Sequence, residues 1–230
     1  MLLNRNDSAE IMDDFSIKDE RIDAALYELK KINKYLGGEK TSKAGLINIL
    51  AKLDSEDVRI LDVGSGASSV SLTMKDLKTN LEIYSIDKNF RACQYLKNNS
   101  TEIKVICADI FFLPFKKKCF DIIHSSLLFH HFNEQQIKVA LNYCKRITKH
   151  AVIINDLRRN ILAFIGIKLL TLFFSKSEMV KNDAPVSVMR GFIKREILKM
   201  FGKSGFEKYK IKRMWAFRWL IIIYMNDNEF

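Results

Sequence analysis

The stretch 59–68 constrains the fold of this chain more than any other. Ile60–Val63 is a short apolar run of the kind that forms a buried strand, and the glycines that follow break it. Gly64 and Gly66 have no Cβ, so this turn can adopt positive φ angles and a ligand can approach its backbone. The serines that come next offer N-cap oxygens for a helix over 69–78. A strand, a glycine turn and a helix N-terminus in this order predict a nucleotide-type site at the carboxyl edge of a parallel sheet.

Further strands follow, and polar residues stand where they end. Leu81–Asp87 alternates and ends in an acid, where a doubly wound nucleotide site places the carboxylate for ribose hydroxyls. A strand over 103–107 leads into Asp109. A fourth strand, 120–124, leads into Ser125, Ser126 and the pair His130 and His131.

With these motifs in order, the chain resembles the class I S-adenosylmethionine (SAM) dependent methyltransferases over about Val58 to Asn155. The histidine pair resembles the small-molecule branch related to quinone-biosynthesis enzymes. The segments 155–159 and 183–192 resemble a bacterial subgroup linked to aromatic polyketide pathways, a form of secondary metabolism. One departure is Ser68, which stands at the third glycine of the first motif. The resemblance implies SAM as cofactor and S-adenosylhomocysteine (SAH) as its product.

The fold class implied by the resemblance is α/β: a Rossmann-like fold with a mixed seven-stranded sheet whose last strand is antiparallel. The residues themselves favour a parallel sheet with right-handed crossovers, because strands alternate with helices. The helices are expected over 69–78, 89–98 and 134–147. A fifth strand is expected at 151–155 and two closing strands at 206–211 and 217–224. The apolar run 219–224 predicts a strand buried on both faces.

The chain is expected to divide into an N-terminal helical cap over 1–54 and a SAM-binding domain over 55–230. A helix with apolar positions from 22 to 36 ends at Gly37–Gly38, and a second helix covers about 43–53. In the family that it resembles, such helices cover the cofactor cleft, which makes this segment a candidate lid. The alternative is that it packs on the sheet edge.

Residues 161–174 form an almost uniformly apolar stretch, interrupted only by Gly166, Lys168 and Thr171. As a helix it is roughly 21 Å long, short of the ~30 Å hydrocarbon core of a bilayer. A helix that is apolar nearly all round must be covered by something. It belongs to a helical insertion over 156–205 that we expect to form the acceptor side. The expected role of the helix itself is to form a substrate pocket or lid; the alternatives are core packing, or membrane contact as an interfacial helix flanked by basic residues.

The parts of SAM can be matched to residues of the motifs. Its methionine end needs backbone donors and a carboxylate near the ammonium, for which the 64–66 turn and Asp62 are placed. The ribose diol needs an acceptor, and Asp87 is the candidate. Asp109 and Ile110 resemble the pair that binds adenine. Asp87 or Asp109, taken alone, would be interpreted as a turn residue at the end of a strand. The predicted cofactor-binding residues are Asp62, Gly64, Ser65, Gly66, Asp87, Lys88, Asp109, Ile110, Ser125 and Ser126.

His130 and His131 are the candidates for a catalytic base, because they follow the fourth strand where the acceptor should lie. Methyl transfer is an SN2 displacement that depends mainly on alignment, and a neutral imidazole could take a phenol or enol proton. At most one of the two is expected to face the acceptor; the alternative is that both hold the loop. No metal is expected, because no third ligand stands at a recognisable spacing. His124, inside the fourth strand, is predicted to be a satisfied core histidine.

The expected acceptor is small and mostly apolar. Arg158, Ser187 and Arg190 are candidates to orient its oxygen, the last two from a polar turn at 183–192, although each could be a surface residue. The first expectation is O-methylation of an aromatic or polyketide hydroxyl or of a carboxylate. The alternatives are C-methylation of a quinol-like ring, or a non-catalytic SAM-fold protein that associates with membrane or nucleic acid.

The charge and the cysteines limit the partners. The formal net charge is +11, but the chain lacks a dense basic run, so nucleic acid is not the expected partner. The basic surface could bind anionic lipid, through weak contact at 161–174, or an acidic substrate. It could also be a solvated surface without a partner.

The four cysteines show no CxxC spacing and are expected to be core thiols. Residues 1–15 are expected to be loosely structured, and the polar stretch Met1–Glu10 shows no apolar signal core, which favours the cytoplasm. We expect a monomer or homodimer.

Overall fold

A computed structural model describes residues 4–17, 19–66, 77 and 80–225. The helix predicted over 69–78, with its serine caps, lies outside the described residues except for Leu77. None of the helices in the described ranges is long and apolar enough to cross a membrane.

The described part of the chain forms one mixed sheet of seven strands. The strands are β1 Val58–Val63, β2 Leu81–Asp87, β3 Lys104–Cys107, β4 Phe120–Ser126, β5 Thr148–Leu157, β6 Tyr209–Met214 and β7 Arg218–Tyr224. Their order in the sheet is β3-β2-β1-β4-β5-β7-β6. The first five strands are parallel, whereas β7 is antiparallel to β5 and β6. This confirms the predicted α/β Rossmann-like fold with an antiparallel last strand.

The helices are α1 Glu20–Tyr35, α2 Gly38–Leu50, α3 Phe90–Asn99, α4 Glu134–Ile147, α5 Ile161–Phe174, α6 Glu178–Arg190 and α7 Lys194–Ser204. Helix α4 has its predicted bounds. Helix α2 begins earlier than predicted, because Gly37 reverses the chain by itself at φ +74° and Gly38 already starts the next helix.

The polar turn predicted at 183–192 is wrong, because most of this segment belongs to α6. The Ser177 side chain caps the helix by accepting from the N–H of Val180. Pro185 lies inside the helix, where it removes one backbone hydrogen bond. Burial of Val180, Ala184 and Val188 at helical spacing offsets that loss.

Apolar side chains pack on both faces of the sheet. On one face, Leu61 and Val152 join a cluster with residues of α4 and α7. On the other, Ile60 and Ile153 join a cluster with residues of α2. Strand β7 is buried along almost its whole length, as predicted from its apolar run. A third cluster joins α1, α5 and α6 to one another, so these helices form a separate layer that is available to wall a site.

The expectation that residues 1–15 are loosely structured is wrong for the described residues 4–15. The N–H groups of Ile11 and Met12 donate to the carboxylate of Asp183 at 2.8 and 3.0 Å. Arg5 donates to the backbone carbonyls of His130 and Phe132. The N-terminal segment 4–17 is therefore bound to α6 and to the loop after β4.

Candidate functional site

The glycine turn after β1 has the backbone that its sequence predicts. Gly64 and Gly66 have φ angles of +66° and +52°, in the left-handed region that favours glycine. A Cβ on Gly64 would lie 2.7 Å from a methyl carbon of Leu128, closer than real Cβ atoms approach. The N–H of Gly64 donates to the carbonyl of Ile86 at 2.9 Å. The turn is thus held against β2 and covered by the loop after β4.

A cavity of about 430 Å³, the glycine-turn cavity, opens beside this turn. It lies at the carboxyl ends of β1 and β4, where the strand order reverses and open α/β sheets bind their ligands. Helix α1 contributes Leu26, Leu29 and Asn33 to its wall. The predicted cofactor residues that line it are Gly64, Ser65, Gly66, Asp87, Lys88, Asp109, Ile110 and Ser126.

The Asp87 carboxylate links the glycine turn to the end of β2. Its oxygens accept from the N–H groups of Gly66 and Asn89, each at 2.8 Å. Burial raises the pKa of Asp87, and these two N–H groups oppose the shift by favouring the ionised form. Each carboxylate oxygen has a second lone pair, so Asp87 can also accept from a ligand diol. Beyond it, the Lys88 ammonium lies 3.0 Å from a carboxylate oxygen of Asp109.

The structure does not bring Asp62 and Ser125 to the glycine-turn cavity. Asp62 is buried and lies 2.7 Å from Nδ1 of His124, whose Nε2 is 2.8 Å from the Ser42 hydroxyl on α2. Asp62 and His124 are register partners in β1 and β4, so their side chains leave the sheet on the same face. The Ser125 hydroxyl donates to the carbonyl of Val63 at 3.0 Å. The buried, hydrogen-bonded core histidine predicted at position 124 is confirmed.

A second cavity of about 590 Å³, the apolar cavity, adjoins the first. Helices α1, α5 and α6 and the connection between β6 and β7 line it. The residues that line both cavities are Glu10, Leu29, Asn33, Leu127 and His131. The two spaces therefore meet between the N-terminal segment, α1 and the loop after β4 that carries His131.

The three candidate acceptor-orienting residues have different positions. Arg158 and Ser187 line the apolar cavity. The Arg158 guanidinium lies over the ring of Phe217, and its Nε has no hydrogen-bond partner among the described residues. Arg190 does not line either cavity. It donates to the His131 carbonyl and to the Asp13 carboxylate, at 2.7 and 2.8 Å, so it clamps the loop after β4.

His130 is buried and oriented by a carboxylate at the end of β5. Its Nδ1 is 2.7 Å from Asp156, which also accepts from the His130 backbone N–H at 3.1 Å. The His130 Nε2 atom and Oε1 of Glu10 are 3.6 Å apart, and neither has a hydrogen-bond partner among the described residues. Nδ1 of His131 lies 2.8 Å from Asp13. The two histidines thus have separate carboxylate partners, and Nε2 of His130 is a buried nitrogen that faces Glu10.

These charges change one another's proton affinity. Burial alone lowers the pKa of His130, but the charge and hydrogen bond of Asp156, with a contribution from Glu10, raise it to about 9. Burial raises the pKa of Asp156 and Glu10, but the contacts with His130 bring both below their ordinary values. At neutral pH the cluster is therefore an imidazolium between two carboxylates.

Sequence reasoning missed Glu10, Asp13 and Asp156 as parts of this site. The only signal was the acidic run 10–14, which has no recognisable spacing to the histidines. His131 and Asp13 are 118 residues apart in the chain. Ligand atoms of Glu10, His130 and His131 lie within 4.8 Å of one another. The N-terminal segment thus supplies a third potential metal ligand, which the sequence did not lead us to expect.

Positive charge already present in the cluster opposes a metal ion there. The Arg190 guanidinium is 2.8 Å from Asp13 and 4.0 Å from Oε1 of Glu10. The imidazolium of His130 adds a further positive charge. Since a metal needs a neutral imidazole, it would have to displace the proton that Asp156 stabilises. We therefore expect a proton, and not a metal ion, to occupy this cluster.

Comparisons with known proteins give a domain match and a shared fold. Residues 60–151 match a family model described as "Methyltransferase domain". No curated protein matches the chain by sequence. Eight solved structures that resemble it are 11 to 16% identical to it, so they show a shared fold only.

Three solved structures illustrate the fold. The plantazolicin methyltransferase BpumL, in complex with a pentazolic desmethylPZN analog and SAH, has a TM-score of 0.70 at 16% identity, over 92% of this chain and 93% of that one. Magnesium protoporphyrin IX methyltransferase from Synechocystis PCC 6803, with bound SAM, has a TM-score of 0.57 at 11% identity, over 83% and 80%. A candidate O-methyltransferase from Nostoc punctiforme PCC 73102 has a TM-score of 0.62 at 15% identity; the match covers 89% of this chain but 59% of that protein.

Asp87→Ala should weaken SAH binding between tenfold and a hundredfold. Hydrogen bonds to a charged group are worth about 1.5–3 kcal/mol, and this change removes the acceptor predicted for the ribose diol. Isothermal titration calorimetry measures the affinity. Asp54→Ala removes an exposed carboxylate far from the cavity and serves as the control. Equal SAH affinity of wild type and Asp87→Ala would remove Asp87 from the site.

Zn²⁺ should not stabilise the protein through the Glu10–His130–His131 cluster. Thermal melting of wild type and Glu10→Gln, after dialysis against EDTA and again with one equivalent of Zn²⁺, tests this. We expect the same small response from both proteins, because Arg190 and the His130 proton oppose the ion. A Zn²⁺-dependent rise in melting temperature that is present in wild type and absent in Glu10→Gln would show that the cluster is a metal site.

Proposed function

We propose that this chain, which contains a methyltransferase domain match and has the fold of class I SAM-dependent methyltransferases, methylates an oxygen of a small, largely apolar acceptor. The acceptor group is an aromatic or polyketide-type hydroxyl, or a carboxylate. SAM would occupy the glycine-turn cavity, with Asp87 on its ribose and Asp109 and Ile110 at its adenine. The acceptor would occupy the apolar cavity.

The observation that carries this proposal is the junction of the two cavities. Methyl transfer requires the nucleophile, the methyl group and the sulfur to lie in line, so acceptor and cofactor must meet across a short gap. The apolar cavity has the volume of a small-molecule site. Its wall is mostly apolar, and the titratable side chains of Glu10 and His131 line it where it meets the glycine-turn cavity. An apolar acceptor with one reactive oxygen fits that distribution.

His130 is the proposed base for a hydroxyl acceptor. Asp156 holds its Nδ1, which leaves Nε2 facing Glu10 and the apolar cavity. Only the neutral imidazole can take the acceptor proton, and the raised pKa keeps that form in the minority at pH 7. A carboxylate acceptor would need no base; the imidazolium of His130 would attract it, whereas the carboxylate of Glu10 would repel it. His131, tied to Asp13 at the rim of both cavities, would position the acceptor.

The alternatives use the same site in other ways. C-methylation of a quinol-like ring also begins with removal of a hydroxyl proton, so the His130–Asp156 arrangement suits it as well. A non-catalytic SAM-fold protein associated with membrane or nucleic acid would bind SAH and transfer nothing. The proposal places the reaction in the cytoplasm, and the four free cysteines agree with a reducing compartment.

Gly166→Leu should lower methyl transfer between roughly tenfold and a hundredfold while leaving SAH affinity unchanged. Gly166 lines the apolar cavity and is itself exposed, and a Cβ there would meet no atom within 4 Å, so a leucine side chain can be accommodated and should narrow the opening of the cavity. The assay follows methyl-labelled SAM into the organic phase of a lipophilic extract of the source cells.

Gly202→Leu is the matched control. Gly202 is also a helical glycine whose Cβ would meet no atom within 4 Å, and it lines neither cavity. Equal loss in both variants would argue against the apolar cavity as the acceptor site. Absence of transfer by wild type, with SAH binding intact, would support the non-catalytic alternative.

The pH dependence of kcat/KM should separate the two kinds of oxygen acceptor. With a hydroxyl acceptor, the rate should rise with pH as His130 loses its proton near pH 9. Asp156→Asn removes the charge that raises this pKa, so the rise should move to lower pH. With a carboxylate acceptor, the rate should fall over the same range. A profile that is flat through pH 9 and unchanged by Asp156→Asn would exclude His130 from the reaction.

A further inference from the structure

Helix α5 has two apolar sides with different surroundings. One side faces inward, where Ala163, Ile167 and Leu170 line the apolar cavity. The other side faces outward and is exposed along the whole helix. Its exposed large apolar residues are Ile161, Leu162, Ile165, Leu169, Leu172, Phe173 and Phe174. We call these seven residues the outer face of α5.

The outer face of α5 is far more exposed than an apolar helix in water should be. Phe173 is 73% exposed and Phe174 is 82% exposed. Isolated exposed apolar residues are common, but a contiguous set on one helix marks a surface that binds something. The helix is too short to cross a bilayer. It can therefore meet a membrane only by lying along its surface.

The charges and aromatic groups around the outer face of α5 identify the occupant. Lys168 lies within the helix and Lys176 just beyond it, and both are exposed. Trp215, 75% exposed, lines the same apolar cavity as α5. Lysine stems and tryptophan rings suit the boundary between acyl chains and headgroups, because each has an apolar body and a polar end. The net charge of +11 adds attraction to anionic headgroups.

We infer that the outer face of α5 docks on a bilayer that contains anionic phospholipid, with the helix axis along the membrane surface. A second copy of this chain could also cover an apolar face. Two copies that meet through α5 would, however, bring together their lysines and two net charges of +11, which disfavours that occupant.

Docking on a membrane explains why α5 both lines the apolar cavity and has an exposed apolar outer face. Leu162 and Trp215 each line the apolar cavity and are largely exposed, so they stand at its opening. Docking through α5 brings that opening to the lipid surface. This step rests on the proposed function: an apolar acceptor dissolved in the bilayer would reach the cavity without crossing water.

Vesicle co-sedimentation tests the docking without reference to activity. The probes are vesicles of phosphatidylcholine alone and of phosphatidylcholine with phosphatidylglycerol, mixed with the full chain. We expect wild type to bind the anionic vesicles, more weakly at high salt. Phe173→Asp/Phe174→Asp should reduce the bound fraction roughly tenfold or more. Phe112→Asp, at an 80% exposed phenylalanine away from α5, should bind as wild type does.

Other outcomes would overturn the inference. The inference is overturned if wild type binds neither kind of vesicle. It is also overturned if wild type and the double variant bind the anionic vesicles equally. A wild-type dimer in lipid-free buffer that becomes a monomer in Phe173→Asp/Phe174→Asp would identify a second copy as the occupant. SAH titration of each variant shows that the glycine-turn cavity is intact. Transfer of label to a soluble acceptor tests the proposed function separately, because it needs no vesicle.

Discussion

Charge compensation around the buried carboxylate of Asp156 ties the site together. Asp156 lies at the end of β5, and His130, its partner, comes from the loop after β4. An ion without a partner in this position would cost several kcal/mol. The loop after β4 is in turn held by Arg190 at the end of α6 and by Arg5 of the N-terminal segment. Four distant parts of the chain must therefore be in place before these charges are satisfied.

The charged cluster around Asp156 and His130 lies at the boundary between the glycine-turn cavity and the apolar cavity. The glycine-turn cavity is built by the carboxyl ends of β1, β2 and β4, whose backbone geometry leaves little freedom. The apolar cavity is built by helices α1, α5 and α6, which pack on one another and not on the main sheet clusters. A helical layer can change its side chains without disturbing the sheet. The residues that line the two cavities can thus vary separately.

Helix α1 and helix α2, expected together as a cap, have different surroundings. Leu26, Leu29 and Asn33 of α1 form part of the cavity wall, whereas α2 packs closely on the sheet. A Cβ at Gly45 of α2 would lie 2.7 Å from Ile153 and 2.9 Å from Leu220. A lid role for the N-terminal region would therefore involve α1 and the segment 4–17. The division of the chain at residues 54 and 55 stays a prediction.

The sequence alone determined the features that depend on neighbouring residues: the strand and glycine turn at 60–66, the buried β7 and the bounds of α4. The periodicity of apolar residues and the φ angles that glycine permits are local properties, so they can be predicted without knowing the fold. Only the tertiary structure decided which side chains meet. The register of β1 with β4 places Asp62 next to His124 in the core. The segment 183–192, expected as a turn, is mostly helical because one of its faces is buried. Packing of the N-terminal segment places Glu10 next to His130. These contacts join residues far apart in the chain, and no spacing in the sequence records them.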